Sequence, residues 1–329
     1  MSQESSLLQA TSQLSMQSAS ASEQNLPSIS WSAMSIERYA TFEQSLGAKV
    51  LRIGDIWWVQ IRPFFYRPLL PFKRYDTEQV KRAIGNRGVF QHAVMDGQSY
   101  DSYLNPVIFD DLQSYEPKRL CRNFRRCLKA ALASGATVRR ILDEQEFCEK
   151  VYPIYLSFYQ RTGYRFGKSR REKAEFSKWA HVLFQFPEVV VLGAFTGPEL
   201  VAVHISCLVE NTLIPKALIT SDRALKLEAP DLLLHCCRMS ALKQPNLQQM
   251  YSGMLSKNAG MNIYKSRRGA CVLALPASLH IHPLALWSIK KASPATYSRL
   301  SGLDPNALLA NDLMPRSSGE PQARIGEDP

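Results

Sequence analysis

Two adjacent side chains in the C-terminal third of the chain, Tyr264 and Lys265, are candidates for acid–base and electrostatic chemistry. When a nucleophile attacks a carbonyl group, negative charge develops on the carbonyl oxygen, and a fixed cation beside that oxygen stabilises this charge. Lys265 would supply this cation, and Tyr264 would donate or relay a proton. Each residue also has a simpler interpretation. Lys265 would be one solvated base beside Arg267 and Arg268, and Tyr264 a packed aromatic whose hydroxyl bonds to the backbone.

Positive charge is concentrated in three stretches that would bind anions. Six bases and no acid lie between residues 118 and 129, and an anionic partner would relieve their mutual repulsion, although such a run is usually a solvated face. A phosphate-bearing ligand is the interpretation we favour. The candidate contacts are Arg122 and Arg126 in this run, Arg223 and Lys226 before a helix that starts near Pro230, and Arg161 and Arg165 in RTGYRFGKSRREK.

No residue is marked as the general base by its sequence context. Glu210 and His204 are candidates, but His204 lies in the middle of a predicted strand, where it would face the core. The six histidines have no HxxxH or HExxH spacing and the seven cysteines no CxxC pair, so we predict neither a metal site nor a disulfide framework. The sequence also contains no GxSxG, Walker or dinucleotide-type glycine motif.

Composition is that of a globular protein with polyanionic partners. The chain has 329 residues, 45% of them hydrophobic, and a formal net charge of +11. A charge of this sign favours nucleic acid, a nucleotide-linked substrate or another anionic surface. No apolar run approaches the roughly 20 residues of a membrane-spanning helix. There is no basic residue before Arg38 and no apolar segment typical of a secretion signal, so we expect a cytoplasmic protein.

The elements that would position these residues follow from hydrophobic periodicity. The first thirty residues contain ten serines and five glutamines, so we predict a disordered tail over 1–35. A helix from residue 36, two strands, a helix over 77–84, the strand VFQHAV and a polar loop to Tyr115 come next. The segment 118–132 predicts a helix with one cationic and one apolar face. Beyond residue 300 we expect a second flexible tail, 301–329.

The second half predicts two helices, a meander of three antiparallel strands, a helix at Pro230, a strand, a short helical loop, a last strand ACVLAL and a terminal helix over 284–300. Pro215 lies inside the third strand of the meander and has no amide for a ladder, which indicates a bulge or an edge there.

This order and several local stretches resemble the FemAB-like transferases, relatives of the GNAT acetyltransferases that carry two GNAT-like units in tandem. The stretches are KRLCRNFRRCLKAALASGATVRRIL, YLSFYQRTGYRFG, VVVLGAFTGPELVAVHISCLV, APDLLLHCC and YSGM with GMNIYKSRRGA, so the resemblance covers about residues 117–275. It implies a mixed α/β fold with a mainly antiparallel central sheet. We expect a diverged N-terminal unit over 36–135 and a transferase unit over 136–300.

The resemblance implies transfer of an acyl or aminoacyl group to an amine from an acyl-thioester, such as acyl-CoA, or from aminoacyl-tRNA. Tyr264 and Lys265 match the family's aromatic–lysine pair, Arg161 its Arg-Thr-Gly, and Gly253 the glycine on the preceding strand. The third strand of the meander would part from its neighbour and expose amides to an acyl carbonyl. Two departures concern the donor. No helical arm for tRNA is evident, and no Q/R-x-x-G-x-G/A stretch precedes Pro230 to hold a pyrophosphate.

The sequence therefore predicts an acyl or aminoacyl transferase with no tightly bound cofactor. Lys265 and Tyr264 would be catalytic, Arg161, Arg165 and Gly253 would bind the substrate, and Arg223, Lys226, Arg122 and Arg126 would contact donor phosphates. Its partners would be a small-molecule or peptide amine and tRNA or another polyanion. The alternative is a non-catalytic GNAT-like module that binds nucleic acid through its basic face, and a role of the serine-rich tail in protein interactions also stays open.

Overall fold

The structure is a computed structural model that describes residue 27 and residues 29–85, 88–163, 167–244, 246–256 and 258–302. The helices are α1 (Ile36–Ser45), α2 (Thr77–Ile84), α3 (Arg122–Ala133), α4 (Glu144–Thr162), α5 (Lys173–Phe184), α6 (Asp222–Lys226), α7 (Ala229–Ala241), α8 (Ala259–Ser266), α9 (Pro283–Ala292) and α10 (Pro294–Ser301). Short 3₁₀ turns occupy Pro117–Arg119 and Lys168–Arg171.

The strands are β1 (Ala33–Met34), β2 (Val50–Ile53), β3 (Ile56–Arg62), β4 (Phe65–Pro68), β5 (Arg74–Tyr75), β6 (Val89–Val94), β7 (Ser102–Leu104), β8 (Pro106–Phe109), β9 (Thr137–Arg140), β10 (Val189–Thr196), β11 (Glu199–Val209), β12 (Thr212–Thr220), β13 (Gln249–Met254), β14 (Cys271–Val272) and β15 (Leu275–His280).

The described residues form two compact units, each built from separate stretches of the chain. The first contains the described residues up to Ser32 together with those of Arg122–Ser206 and Lys216–Pro245. The second contains the described residues of Ala33–Cys121, Cys207–Pro215 and the stretch from Asn246 to residue 302. The division passes through β11 and β12, so each of these strands contributes residues to both units.

The first unit is a sheet of β9, β10, β11 and β12 with helices α3 to α7. β9 and β10 are antiparallel, with Arg139 opposite Gly193. The α4–α5 pair is held by aromatic packing, since the ring of Phe147 stacks on Phe176 at 5.7 Å and Trp179 meets Phe176 edge-on at 5.3 Å. Helix α3 buries Phe124, Cys127, Leu128 and Ala131. Its predicted division into an apolar and a cationic face is thus confirmed.

The second unit contains a sheet of order β2-β3-β4-β6-β15-β7, with β5 beside β6. β15 is antiparallel to both of its neighbours, whereas β4 and β5 run parallel to β6. In the other sheet of this unit, β8 lies between β14 and β13, and β13 pairs in parallel with the start of β12. The sheets are mixed rather than purely antiparallel. The expected mixed α/β class is confirmed, and antiparallel pairs predominate among the described strand pairs, as expected.

Order extends further toward the N-terminus than the sequence predicts. Residues 1–26 and 28 of the expected tail lie outside the described residues, but Ile29, Trp31 and Met34 are buried. The indole Nε1 of Trp31 donates to Ser240 Oγ at 2.9 Å, and β1 pairs in parallel with the end of β11. The serine-rich composition masked these three apolar residues, so the predicted boundary at residue 35 was wrong. Residues 303–329 of the C-terminal tail predicted over 301–329 lie outside the described residues.

Several other boundaries differ from the predictions for local reasons. The stretch predicted as a polar loop to Tyr115 contains β7 and β8. The prediction missed β8 because its sequence, PVIF, is short and buried throughout, without the alternation of apolar and polar residues that indicates a strand. The basic helix begins at Arg122, after the 3₁₀ turn at Pro117. The terminal helix is two helices that meet at Ser293 and Pro294, where proline provides no amide to continue the first.

The units also interleave along the chain, in contrast to the predicted ranges 36–135 and 136–300. The predicted last strand ACVLAL contains the two-residue β14, and its last residue, Leu275, begins a further strand, β15. β15 pairs with β6, Ala277 lying opposite Ala93, and with β7 on its other side. A strand near residue 277 therefore completes a sheet that begins near residue 50, which local patterns cannot reveal.

Candidate active site

Lys265 lies on α8 and reaches the neighbouring strand β13. Asn258 caps the start of this helix, because its side chain accepts from the Met261 amide at 3.3 Å. One turn on, the buried side chain of Asn262 holds the preceding loop, because its Oδ1 accepts from the Ser256 amide at 3.0 Å and its Nδ2 donates to the Ser256 carbonyl at 2.7 Å. With the loop fixed in this way, the Lys265 ammonium donates to the carbonyl oxygen of Ser252.

The strand has an irregularity at the point that Lys265 reaches. β13 pairs with β8 through Tyr251 opposite Ile108 and then Met254 opposite Pro106, with a shift of register between the two pairs. Gly253 lies in this bulge with φ +88°, a conformation that favours glycine. A Cβ built at Gly253 would lie 3.9 Å from Lys265 Nζ. The sequence prediction grouped Gly253 with Lys265, and the structure brings the two together.

The environment of Lys265 makes its amine unusual. The side chain is half-buried, and burial lowers the pKa of its ammonium to about 8. Among the described residues, no carboxylate forms a salt bridge with it. Its bond to one carbonyl leaves donor capacity in a three-proton group. Such a cation can bind an oxygen that gains negative charge.

Tyr264 packs against a second basic residue, Arg268. The guanidinium of the buried Arg268 lies 3.4 Å from the centroid of the Tyr264 ring, and its Nη1 donates to the Tyr264 carbonyl at 2.8 Å. Arg268 is thus a packed cation–π partner rather than part of a solvated cluster. The contact with Arg268 gives the Tyr264 ring a structural role that needs no substrate. The role of Tyr264 as a proton relay stays a prediction.

Arg67 on β4 was missed by the sequence analysis. Its Nε donates to Gln91 Oε1 at 3.0 Å, and its guanidinium lies 5.0 Å from the Phe65 ring. Burial lowers the pKa of Arg67 to about 10, and the nearby Tyr251 hydroxyl acts against this shift. Tyr251 is the residue before Ser252, so a second half-buried cation lies beside β13. The one available signal was an arginine alone in the apolar stretch FFYRPLL.

The third strand of the meander leaves its neighbour early. β12 pairs with β13 only where Thr212 lies opposite Gln249 and Leu213 opposite Met250, over strands that the structure describes in full. Pro215 follows within two residues, as expected for a residue with no ladder amide. Regular pairing between β12 and β13 therefore ends close to the start of β12, whereas β12 stays paired with β11 on its other side.

Neither candidate general base is available without rearrangement. Glu210 at the turn before β12 has φ +52° and forms an ion pair with Lys73. His204 is buried in the first unit, with its Nδ1 at 3.2 Å from Cys237 Sγ, and burial lowers the pKa of His204 to about 4. His204 therefore faces the core, as its place in the strand suggested.

Three of the predicted anion-binding residues meet around α6 in the first unit. Arg161 donates through Nη1 to Asp222 at 2.5 Å and through Nη2 to the carbonyl and hydroxyl of Thr220, both at 2.8 Å. Arg223 on the same helix pairs with Glu199, and Lys226 is exposed. The two arginines thus already have carboxylate partners. Arg165 lies outside the described residues.

The start of α7 carries negative rather than positive groups. Glu228 caps this helix in the left-handed conformation, and its carboxylate, the carboxylate of Asp231 and the Cys127 thiol approach within 4.8 Å of one another. Thiol and carboxylate groups are ligands for a cation. At a helix start where a pyrophosphate would need donors, the carboxylate of Glu228 opposes its binding.

The outward face of α3 carries four exposed cations. Arg122, Arg125, Arg126 and Lys129 are all exposed, and none forms a salt bridge within the described part of the chain. We call these four residues the basic face of α3. It includes Arg122 and Arg126, which the sequence singled out.

Comparison with known proteins identifies the fold. No protein-family model and no curated protein matches the chain. Among solved structures, FemX aligns at TM-score 0.54 and 9% identity over 76% of this chain and 92% of FemX. The chain has a FemAB-like fold of the GNAT type.

Two further structures agree with this fold. L-PGS from Bacillus licheniformis aligns at TM-score 0.51 and 12% identity over 80% of this chain and 92% of its own. The C-terminal DUF2156 domain of a protein from Agrobacterium fabrum aligns at TM-score 0.52 and 11% identity over 84% and 96%. The fold predicted from the residues around 117–275 is therefore confirmed.

Proposed function

We propose that the protein transfers an acyl or aminoacyl group to an amine, with the Lys265 ammonium stabilising the carbonyl oxygen during the transfer. The observation that supports this most directly is the half-buried amine of Lys265 at the Gly253 bulge. It has a carbonyl ligand but no carboxylate among the described residues. A lysine with a purely structural role in a site of low polarity would normally be paired with an acid.

Aminoacyl-tRNA is the donor that we favour over acyl-CoA. The Glu228 carboxylate at the start of α7 opposes a pyrophosphate there, and the sequence has no glycine loop before Pro230 to hold one. The basic face of α3 suits the repeated phosphates of a nucleic acid. Arg122 and Arg126 would then contact the tRNA backbone. In this scheme Arg223 and Lys226 would act as secondary phosphate contacts, and Arg161 and Arg165 would orient the substrate.

A single experiment separates these donors. The protein is incubated with labelled aminoacyl-tRNA or labelled acetyl-CoA, and hydroxylamine replaces the unidentified amine. Our proposal predicts protein-dependent formation of labelled hydroxamate from aminoacyl-tRNA. Formation from acetyl-CoA alone would leave a transferase with a different donor.

The rival function is a non-catalytic module that binds nucleic acid, which the unpaired cations of α3 favour. This reading predicts saturable tRNA binding and no labelled hydroxamate with either donor above the rate without protein. It would also leave Lys265 without a role in binding. The same assay, run beside a tRNA-binding measurement, therefore decides between the two functions.

A further inference from the structure

Helix α9 exposes two large apolar side chains to solvent. Leu284 is 70% exposed and Trp287 is 61% exposed. They are three residues apart and therefore neighbours on one side of the helix. The inward side of α9 is formed by the half-buried Leu286 and Ile289. Leu284 and Trp287 are thus not needed to hold the helix in place.

Two lysines flank these apolar side chains. At about 100° per residue, Lys290 and Lys291 fall on either side of Trp287 around the helix. The Lys291 ammonium lies 5.0 Å from the centroid of the Trp287 ring, and the Lys290 ammonium lies 4.6 Å from that of Tyr297 on α10. Both lysines are exposed. We call Leu284, Trp287, Lys290 and Lys291 the outer face of α9.

The surrounding sequence is unusually free of negative charge. From residue 232 to residue 303 the chain contains no Asp or Glu and nine Lys or Arg. The polar groups of the outer face are two ammoniums and the indole N–H, all of which donate hydrogen bonds. A partner for this face must therefore offer acceptors, negative charge and an apolar layer within reach of the ring.

We propose that the outer face of α9 binds the surface of an anionic lipid bilayer. Trp287 and Leu284 would enter the boundary between headgroups and acyl chains, where tryptophan is favoured. Lys290 and Lys291 would contact lipid phosphates from the same side of the helix. No helix in the described part of the chain is long and apolar enough to cross a membrane. The attachment is peripheral and does not depend on the proposed transfer reaction.

A bilayer accounts for the outer face better than a protein does. Headgroup phosphates and ester carbonyls supply acceptors over a continuous surface, with an apolar layer directly below them. A protein partner would have to combine a hole for the Trp287 ring with two acidic groups on its rim. With only two apolar side chains, the attachment should be weak and reversible, and each lysine should contribute about fivefold to affinity for anionic lipid.

The test is sedimentation of the full chain with vesicles. One set contains about one third phosphatidylglycerol in phosphatidylcholine, and the other contains phosphatidylcholine alone. We expect binding to the anionic set and little to the neutral set. Leu284→Ser with Trp287→Ser should lower binding at least about tenfold, and Lys290→Gln with Lys291→Gln should abolish the preference for anionic lipid. Leu142→Ser is the matched control, because Leu142 is 72% exposed and lies in the first unit.

Three results would overturn the proposal. The first is no binding to anionic vesicles, and the second is binding that Leu284→Ser with Trp287→Ser leaves unchanged. The third is a shift from dimer to monomer, without vesicles, in the same double variant, which would make the outer face a contact between two copies of the chain. Thermal unfolding of each variant confirms that the helices remain folded. Transfer activity with soluble donor and hydroxylamine should be unaffected by the double variant, which separates this proposal from the function.

Discussion

The ammonium of Lys265 donates a hydrogen bond to the carbonyl oxygen of Ser252, at the bulge where β13 shifts its register against β8. This contact places a cation beside the part of β13 between Tyr251 and Met254, where the regular hydrogen-bonded pairing with β8 is interrupted. The amine is half-buried, and its bond to a neutral carbonyl does not cancel its charge. Its availability to a second oxygen is the basis of the following predictions.

The rate of transfer should depend on the charge of Lys265. Burial lowers the pKa of its ammonium to about 8, so the cation is lost as the pH rises through this value. We expect the rate to fall above a pH of about 8, as measured by a pH–rate profile with a saturating donor. Lys265→Arg keeps its charge at alkaline pH. If this variant retains activity, the fall of its rate on the alkaline side of the pH–rate profile should begin at a higher pH. If the rate of this variant falls over the same pH range as in the unmodified protein, the group that titrates is not Lys265.

Gly253→Ala should damage both stability and transfer. A side chain at φ +88° costs about 1–2 kcal/mol of unfolding free energy, and the added methyl group would fill space 3.9 Å from Lys265 Nζ. Gly97→Ala is the matched control, because Gly97 has φ +81° and nothing within 4 Å of an added Cβ. Urea unfolding should show similar losses for both variants, and only Gly253→Ala should slow transfer. Equal rates would show that the bulge is not part of the site.

The basic face of α3 should dominate the salt dependence of tRNA binding. Each phosphate contact contributes about 0.7–0.9 to the slope of log affinity against log salt. Arg122→Gln, Arg125→Gln and Lys129→Gln together should lower this slope by about two to three, as measured by fluorescence anisotropy. Lys150→Gln with Lys178→Gln is the control, because these lysines are already paired with Glu146 and Glu175. An equal effect of the control would point to net charge alone.

The segment that precedes β1 should contribute to stability. Trp31→Phe removes the 2.9 Å bond to Ser240 Oγ, and we expect a loss of about 1 kcal/mol from this bond in addition to the smaller ring. Ser240→Ala completes a double-mutant cycle, which isolates the coupling between the two side chains. A coupling energy near zero in urea unfolding would mean that this segment is not docked in solution.

The individual helices and strands could be predicted from the sequence better than the way in which they pack and pair. The helix over 77–84, the strand VFQHAV and the three strands of the meander follow from short-range periodicity, and the structure has them. The pairing of β15 with β6 could not be predicted, since it joins residues nearly 190 positions apart. The docking of Trp31 on Ser240 is likewise a long-range contact, which composition alone concealed.

The candidate site was predictable in part. The pair Lys265 and Gly253 was found through the family resemblance, and the structure brings their atoms together. The carboxylate partners of Arg161 and Arg223 were not foreseen, because Asp222 and Glu199 carry no motif. Arg67 was missed for a physical reason: a single arginine in an apolar strand has no periodicity, and its bond to Gln91 and its contact with the Phe65 ring are visible only in the structure.

The most direct test of the account compares Lys265→Ala with Arg267→Ala in the aminoacyl-tRNA assay. Arg267 is an exposed cation at the end of the same helix, so its loss controls for net charge. We predict that Lys265→Ala lowers the rate of transfer by about 10²–10³ with unchanged circular dichroism, and that Arg267→Ala stays within about twofold of the unmodified protein. A Lys265→Ala protein that transfers at the normal rate would contradict the account.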